Sequence, residues 1–165
     1  MSDTALYPVN TTLADSAHIN RQHYEALYVQ SINDPVVFWA EQAEAFLNWD
    51  KPWHEVVKHD YPKGQIEWFT GGKLNVTVNC LDRHLATRAD QTAILWEGDN
   101  PEHQASISYR ELHQQVCKFA NVLKSQGVKK GDRVCIYLPM ILESAVVILA
   151  CARIGAVHSI VFGGF

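Results

Sequence analysis

The chain has 165 residues, with 14 Lys plus Arg against 18 Asp plus Glu and a formal charge of −4 when its eight His are neutral. Its 47% hydrophobic and 19% charged residues are those of a globular chain able to bury roughly 70% of its unfolded surface, which excludes wholesale disorder. The pI near 6.0 gives no general attraction to nucleic acid or an anionic membrane, and the most apolar stretch, residues 144–152, is well short of the roughly 18–20 needed to cross a bilayer.

Residues 1–75 hold four of the five tryptophans and few periodic apolar runs. They read as an irregular, aromatic-rich helical layer. Within it, residues 16–31 form a helix pattern with Ile19, His23, Leu27 and Tyr28 on one face. Asn33-Asp34-Pro35 is a helix start, an Asx cap followed by Pro in the first turn. The helix then runs over residues 36–47, with Phe38, Trp39, Ala43, Phe46 and Leu47 on an apolar face. Pro52, Pro62 and Gly64 break the segment that follows. Gly71-Gly72 is a turn, and residues 75–88 read as one helix with Leu81, Leu85 and Ala89 on a common face.

Residues 76–165 read as the start of an α/β domain. Residues 92–96 and 105–108 are short strands. Ser108-Tyr109-Arg110-Glu111 is a capping box, and Leu112, Val116, Phe119, Ala120 and Leu123 continue it at helical spacing until Gly127. Residues 134–138 form an apolar strand expected to be buried on both faces, stopped by Pro139. Residues 141–154 form a nearly all-apolar crossover helix closed by Gly155, and residues 157–162 the next strand. This is a βαβ unit with parallel strands. Only two strands of the implied sheet are present and its edge is open, so the sequence is expected to be the front part of something longer.

The N-terminus lacks a basic region followed by an apolar core, so a cytoplasmic location is expected. Cys80, Cys117, Cys135 and Cys151 are scattered without a Cys-x-x-Cys pair, which predicts buried, reduced thiols.

Several stretches admit a chemical reading beside a structural one. Phe162-Gly163-Gly164-Phe165 follows a buried parallel strand, where glycines let backbone approach a ligand and Phe162 is able to cover a flat group such as adenine. An ordinary tight turn is the alternative. Gly71-Gly72-Lys73-Leu74-Asn75 is an anion-binding turn or, more simply, a turn and helix cap. Cys80 and His84, four apart, are short of the four ligands a structural zinc takes. Asp82, beside Arg83 and His84, suits a polar network locking its helix to the next layer. The tryptophans at 39, 49, 53 and 68 are anchors rather than a sugar or aromatic surface. No phosphate loop, dinucleotide fingerprint, His-Glu-x-x-His or nucleophile elbow occurs, and no catalytic constellation emerges.

Taken together, Trp68-Phe69-Thr70-Gly71-Gly72-Lys73-Leu74-Asn75 and Asn79-Cys80-Leu81-Asp82-Arg83-His84 resemble the N-terminal signature of short-chain acyl-CoA synthetases, above all the acetyl-CoA synthetase family. Leu47-Asn48-Trp49-Asp50-Lys51-Pro52-Trp53 fits the same pattern. Ser108-Tyr109-Arg110-Glu111-Leu112, Gly131-Asp132-Arg133-Val134, Leu138-Pro139-Met140 and the terminal Phe162-Gly163-Gly164-Phe165 are similar to features of the wider adenylate-forming superfamily. The likeness extends from about residue 5 to residue 165.

The resemblance implies the N-terminal part of an adenylate-forming enzyme fold. It implies a helical extension at 1–75 and the truncated start of an AMP-binding domain at 76–165, with a partial parallel βαβ sheet. It further implies a ligase that joins acetate to ATP as acetyl-adenylate, with Mg²⁺ bridging phosphates, and passes the acetyl group to coenzyme A. The partners so implied are acetate, ATP and coenzyme A, together with the remainder of the synthetase. By the same resemblance Phe162, Gly163 and Gly164 lie against the coenzyme A nucleotide. The family's phosphate loop, acyl pocket, Mg²⁺-binding acid and catalytic lysine match nothing in these 165 residues, so no catalytic or metal-binding role falls on any of them and the chain alone is expected to be inactive. A propionate–CoA ligase shares every motif quoted. A short interaction module retaining the start of the fold is the alternative of another class.

Overall fold

The computed structural model describes residues 7–163. The elements run α1 (Thr11–Ser16), α2 (Arg21–Asn33), α3 (Pro35–Phe46), β1 (Glu55–Asp60), β2 (Gln65–Thr70), α4 (Val76–Cys80), α5 (Leu85–Arg88), β3 (Thr92–Glu97), β4 (Gln104–Ser108), α6 (Tyr109–Ser125), β5 (Arg133–Leu138), α7 (Leu142–Ile154) and β6 (Val157–Phe162). They form two compact units. One takes the described residues up to Leu47 together with Glu55–Trp68, and the other takes Asn48–His54 together with the chain from Phe69 onward.

In the first unit, Asn20 interrupts the helix expected over 16–31. Its side-chain oxygen accepts the His23 N–H at 2.8 Å and starts α2 there, because an Asx side chain competes for the backbone of the turn that follows it. Asp34 caps α3 through the Val37 N–H, with Pro35 in the first turn. Of the apolar face expected on α3 only Ala43 is buried, whereas Phe46 is 64% exposed. Trp39 meets Trp68 edge to face at 6.2 Å. The strand pair β1–β2 has no counterpart in the sequence-based expectation. Its strands, Glu-Val-Val-Lys-His-Asp and Gln-Ile-Glu-Trp-Phe-Thr, show no sustained alternation.

The second unit holds the core. β3 and β4 form an antiparallel hairpin, and β5 and β6 a parallel pair in which Arg133 faces Val157 and Leu138 faces Phe162. Helices α6 and α7 pack together over Leu81, Ile107, Leu112, Val116, Ala120, Val146 and Ala150. A second cluster, Ile136, Cys151 and Ala156, joins α7 to the parallel pair. Gly155, at φ +71°, closes α7 in the left-handed conformation that β6 needs for its return.

The strand expected to be buried on both faces is not. On β5, Ile136 is buried while Tyr137 is 61% exposed, because the cluster around Cys151 covers the Ile136 face alone. The cysteines also depart from expectation. Cys151 is buried, and burial raises its thiol above the ordinary range, but Cys80 and Cys135 are exposed.

The capping box forms as the sequence predicts. The Ser108 hydroxyl oxygen accepts the Glu111 N–H, and the Glu111 carboxylate accepts the Ser108 N–H at 2.9 Å. That backbone bond, then the Ser108 hydroxyl, holds Glu111 below the ordinary glutamate range. A depressed carboxylate stabilises the fold above the unfolded-state range and loses that contribution as pH falls through its own folded value. Ser108→Ala should therefore cost about 1 kcal/mol at neutral pH. In urea titrations that deficit should shrink as Glu111 protonates; a deficit independent of pH across the acid range would refute the reciprocal cap.

Candidate functional site

Asn79-Cys80-Leu81-Asp82-Arg83-His84 does not continue one helix. It divides into the end of α4 at Cys80, the linking residue Leu81 and a 3-10 turn at Asp82–His84, directly before α5. The division lets each side chain reach a different partner. Asn79, only 9% exposed, accepts the Asn48 N–H at 2.7 Å and donates to the Asn48 carbonyl at 3.0 Å, as a neighbouring strand would. Leu81 is 2% exposed in the main core. Asp82 joins Arg153 of α7 at 2.9 and 3.0 Å and His113 of α6 at 2.7 Å. This is the interlayer network expected at Asp82.

His84 packs its ring on Tyr109 at 5.4 Å. Burial first, then Arg83 and Arg88, holds it below the ordinary imidazole range. Asn75 accepts the N–H groups of Thr77 and Val78, the donors an anion at this turn would use, and donates to the Ala152 and Arg153 carbonyls at the end of α7. The turn-and-cap reading of Gly71-Gly72-Lys73-Leu74-Asn75 therefore accounts for its geometry. Trp49, Trp53 and Phe69 pack ring against ring at 4.9–5.3 Å, as anchors do. Among the described residues, no three His, Cys, Asp or Glu side chains gather as a metal site would require.

The concave site lies elsewhere, at the carboxyl ends of β5 and β6, where α/β sheets hold ligands. A cleft of about 580 Å³ opens there, with Trp96, Leu138, Met140, Ile148, Ile160 and Phe162 among its walls. Phe162 is 64% exposed. Gly163 is required by close approach, since a Cβ there would sit 2.7 Å from the Leu138 carbonyl oxygen. Gly164 lies outside the described residues. The sequence reading placed Phe162 and Gly163 at this end of the sheet but did not single out Trp96, whose indole N–H donates to the Met140 carbonyl 44 residues away. A tryptophan ending a β-rich run carries no signal of so distant an acceptor.

The cleft fits a flat apolar group better than a phosphate. Among the described residues, Glu97 is the only charged one in its lining, and a carboxylate repels an anion. No described residue of the cleft supplies a cation for a nucleotide's phosphates.

Comparison with known proteins places this geometry. The AMP-binding enzyme family matches residues 81–165, and the family described as acetyl-coenzyme A synthetase N-terminus matches residues 24–80. The chain belongs to the AMP-binding enzyme family, and the resemblance read from its motifs is borne out. It is 65% identical, over all 165 residues, to an acetyl-coenzyme A synthetase of Saccharophagus degradans, and 59% identical to acetyl-coenzyme A synthetase 2 of Pseudomonas aeruginosa. It spans 26% of the length of each. Among solved structures, an acetoacetyl-CoA synthetase from Streptomyces lividans superposes with a TM-score of 0.78 at 32% identity, over 93% of this chain and 24% of that one. The α/β fold expected of an adenylate-forming front part is thus the fold observed. Among the described residues, no helix is long and apolar enough to cross a membrane.

Proposed function

We propose that these residues form the leading part of a cytoplasmic ligase that converts acetate and ATP to acetyl-adenylate and pyrophosphate, then passes the acetyl group to coenzyme A. The observation that carries this reading is the 65% identity, over all 165 residues of the chain, to a relative named acetyl-coenzyme A synthetase. The boundary near residue 75 separates a helical extension from the start of the nucleotide-binding domain. Phe162, Gly163 and Gly164 face the coenzyme A nucleotide. An exposed ring at the carboxyl end of a parallel strand supports that role for Phe162, which offers the adenine base a flat apolar wall.

The chain's own residues shape and dry one wall of the site. The acyl pocket, the phosphate contacts and the Mg²⁺ ligands are assigned to the remaining length of the ligase, which covers the exposed apolar face of Tyr137 and Val161. Bound Mg²⁺ supplies charge neutralisation to the phosphates. The acyl group is set outside these residues as well, and propionate is the alternative substrate.

A hybrid enzyme tests the reading. Residues 1–165 replace the matching segment of the Saccharophagus degradans relative, and acetate-dependent pyrophosphate release and acetyl-CoA formation are measured. Activity with acetate is expected. A folded hybrid that releases no pyrophosphate and forms no acetyl-CoA with acetate would overturn the assignment.

A further inference from the structure

Trp96 lies near the end of β3, half-buried, where Gly98 leaves room for its ring; a Cβ at Gly98 would sit 3.0 Å from it. Its indole N–H donates to the Met140 carbonyl at 2.6 Å, at the short end of N–H···O distances. Met140 has no anchor in its own side chain, which is 83% exposed. The other carbonyls of this turn are engaged as well. That of Pro139 accepts from the Ser144 hydroxyl at 2.8 Å and from the Ile141 N–H at 2.9 Å. That of Leu138 lies against Gly163 so closely that no side chain fits there, and Leu138 is the register partner of Phe162. An unbroken line of contacts therefore runs from Trp96 through Met140 and Leu138 to Gly163 and Phe162. Trp96 and Phe162 line the same cleft.

We propose that Trp96 is a positioning residue for coenzyme A. Its indole N–H fixes the turn at residues 138–141, and that turn sets the path of Gly163 and the aim of the Phe162 ring. The inference rests on the reading of Phe162 and Gly163 as coenzyme-facing. It adds a residue from the neighbouring hairpin that no family motif quoted above includes. Trp96 acts on the thioester-forming half-reaction by way of the cleft wall and leaves the adenylate-forming half-reaction alone.

The test uses the hybrid ligase with three changes at two positions. Trp96→Phe removes the N–H and part of the ring. Replacement of Trp96 by benzothienylalanine keeps the shape and removes only the N–H, so it reports even where Trp96→Phe fails to fold. Phe162→Ala reports on the coenzyme reading itself. Loss of the N–H should raise the KM for coenzyme A about five- to tenfold, the scale of one hydrogen bond. Acetate-dependent exchange of pyrophosphate into ATP should stay within about twofold of the parent, whereas a merely structural residue would lower both half-reactions together and overturn the proposal. Phe162→Ala should raise the same KM. An unchanged KM in the benzothienylalanine protein, with a raised KM in Phe162→Ala, would overturn the role of Trp96 and leave the coenzyme reading standing. An unchanged KM in Phe162→Ala would remove the coenzyme reading and this proposal with it.

Discussion

Asp82→Asn should lower the unfolding free energy by about 2–3 kcal/mol, read from urea or guanidinium midpoints at unchanged slope. Asp82 holds two partners from two helices, Arg153 at 2.9 Å and His113 at 2.7 Å, and all three side chains are only 22–27% exposed. The pair is too far from water for solvent to replace the lost carboxylate at no cost. Asparagine keeps the volume, so the change isolates the charge. It leaves the Arg153 guanidinium in place with its buried Nε already lacking a partner, and an uncompensated cation costs more than the pair contributed when intact. Arg153→Met made together with Asp82→Asn should therefore be less damaging than the sum of the two, with a coupling above about 0.5 kcal/mol. Additive effects would show that the bridge is a surface contact in energetic terms. The exposed pair of Asp90 and Arg110 is the internal control. Its geometry holds Asp90 below the ordinary aspartate range, first through the Arg110 hydrogen bond and then through its charge, yet water screens it.

Leu81→Ala should cost about 3 kcal/mol, within the span measured for buried leucine truncations. Leu81 is 2% exposed, sits where α4 gives way to the 3-10 turn, and belongs to the core cluster that includes Val116, Ala120 and Ala150. Buried alanines on both helices, Ala120 of α6 and Ala150 of α7, belong with Leu81 to the cluster over which the helices pack. The helices are held by other contacts, including the Thr77 hydroxyl bond to the Leu149 carbonyl at 2.7 Å, so the site has little freedom to collapse around a cavity. Leu95→Ala, at a residue 81% exposed, should change stability by less than about 0.5 kcal/mol. A similar small loss at Leu81 would mean that the core is plastic and that the motif does not serve as its hub.

These expectations give the motif around Asn79 and Asp82 a physical meaning. Asn79 supplies backbone-like bonds to Asn48, Leu81 fills the core and Asp82 ties α6 to α7. The most recognisable sequence in the chain is a structural hub, and none of its residues is among the walls of the cleft at the ends of β5 and β6.

The same residues show where sequence reading succeeds and where it stops. Strand, helix and strand from β5 to β6 were legible because their signals are local: an apolar run, a Pro stop, a helix and Gly155. The Ser108 cap was legible for the same reason, since both partners lie within four residues. The helix expected over residues 75–88 broke because Asn79 bonds to Asn48, 31 residues away, and Leu81 takes φ −123° to turn the chain. The β1–β2 hairpin was missed because its strands lack a clean period of two. Phe69 within it adopts φ +56°, a conformation no propensity scale assigns to an aromatic residue. At the candidate site, Phe162 and Gly163 were legible from their place after a parallel strand. Trp96 was not, because its acceptor at Met140 comes into reach only once the hairpin lies against the βαβ unit.

On the proposed function, these residues build a scaffold and one wall of a coenzyme site while the bond-making groups lie in the remaining length of the ligase. The most direct measurement is pyrophosphate release from ATP and acetate by the purified 165-residue chain, folded by circular dichroism and supplied with Mg²⁺ and coenzyme A. No release above the protein-free rate is expected. Acetate-dependent release that disappears on denaturation would overturn that assignment.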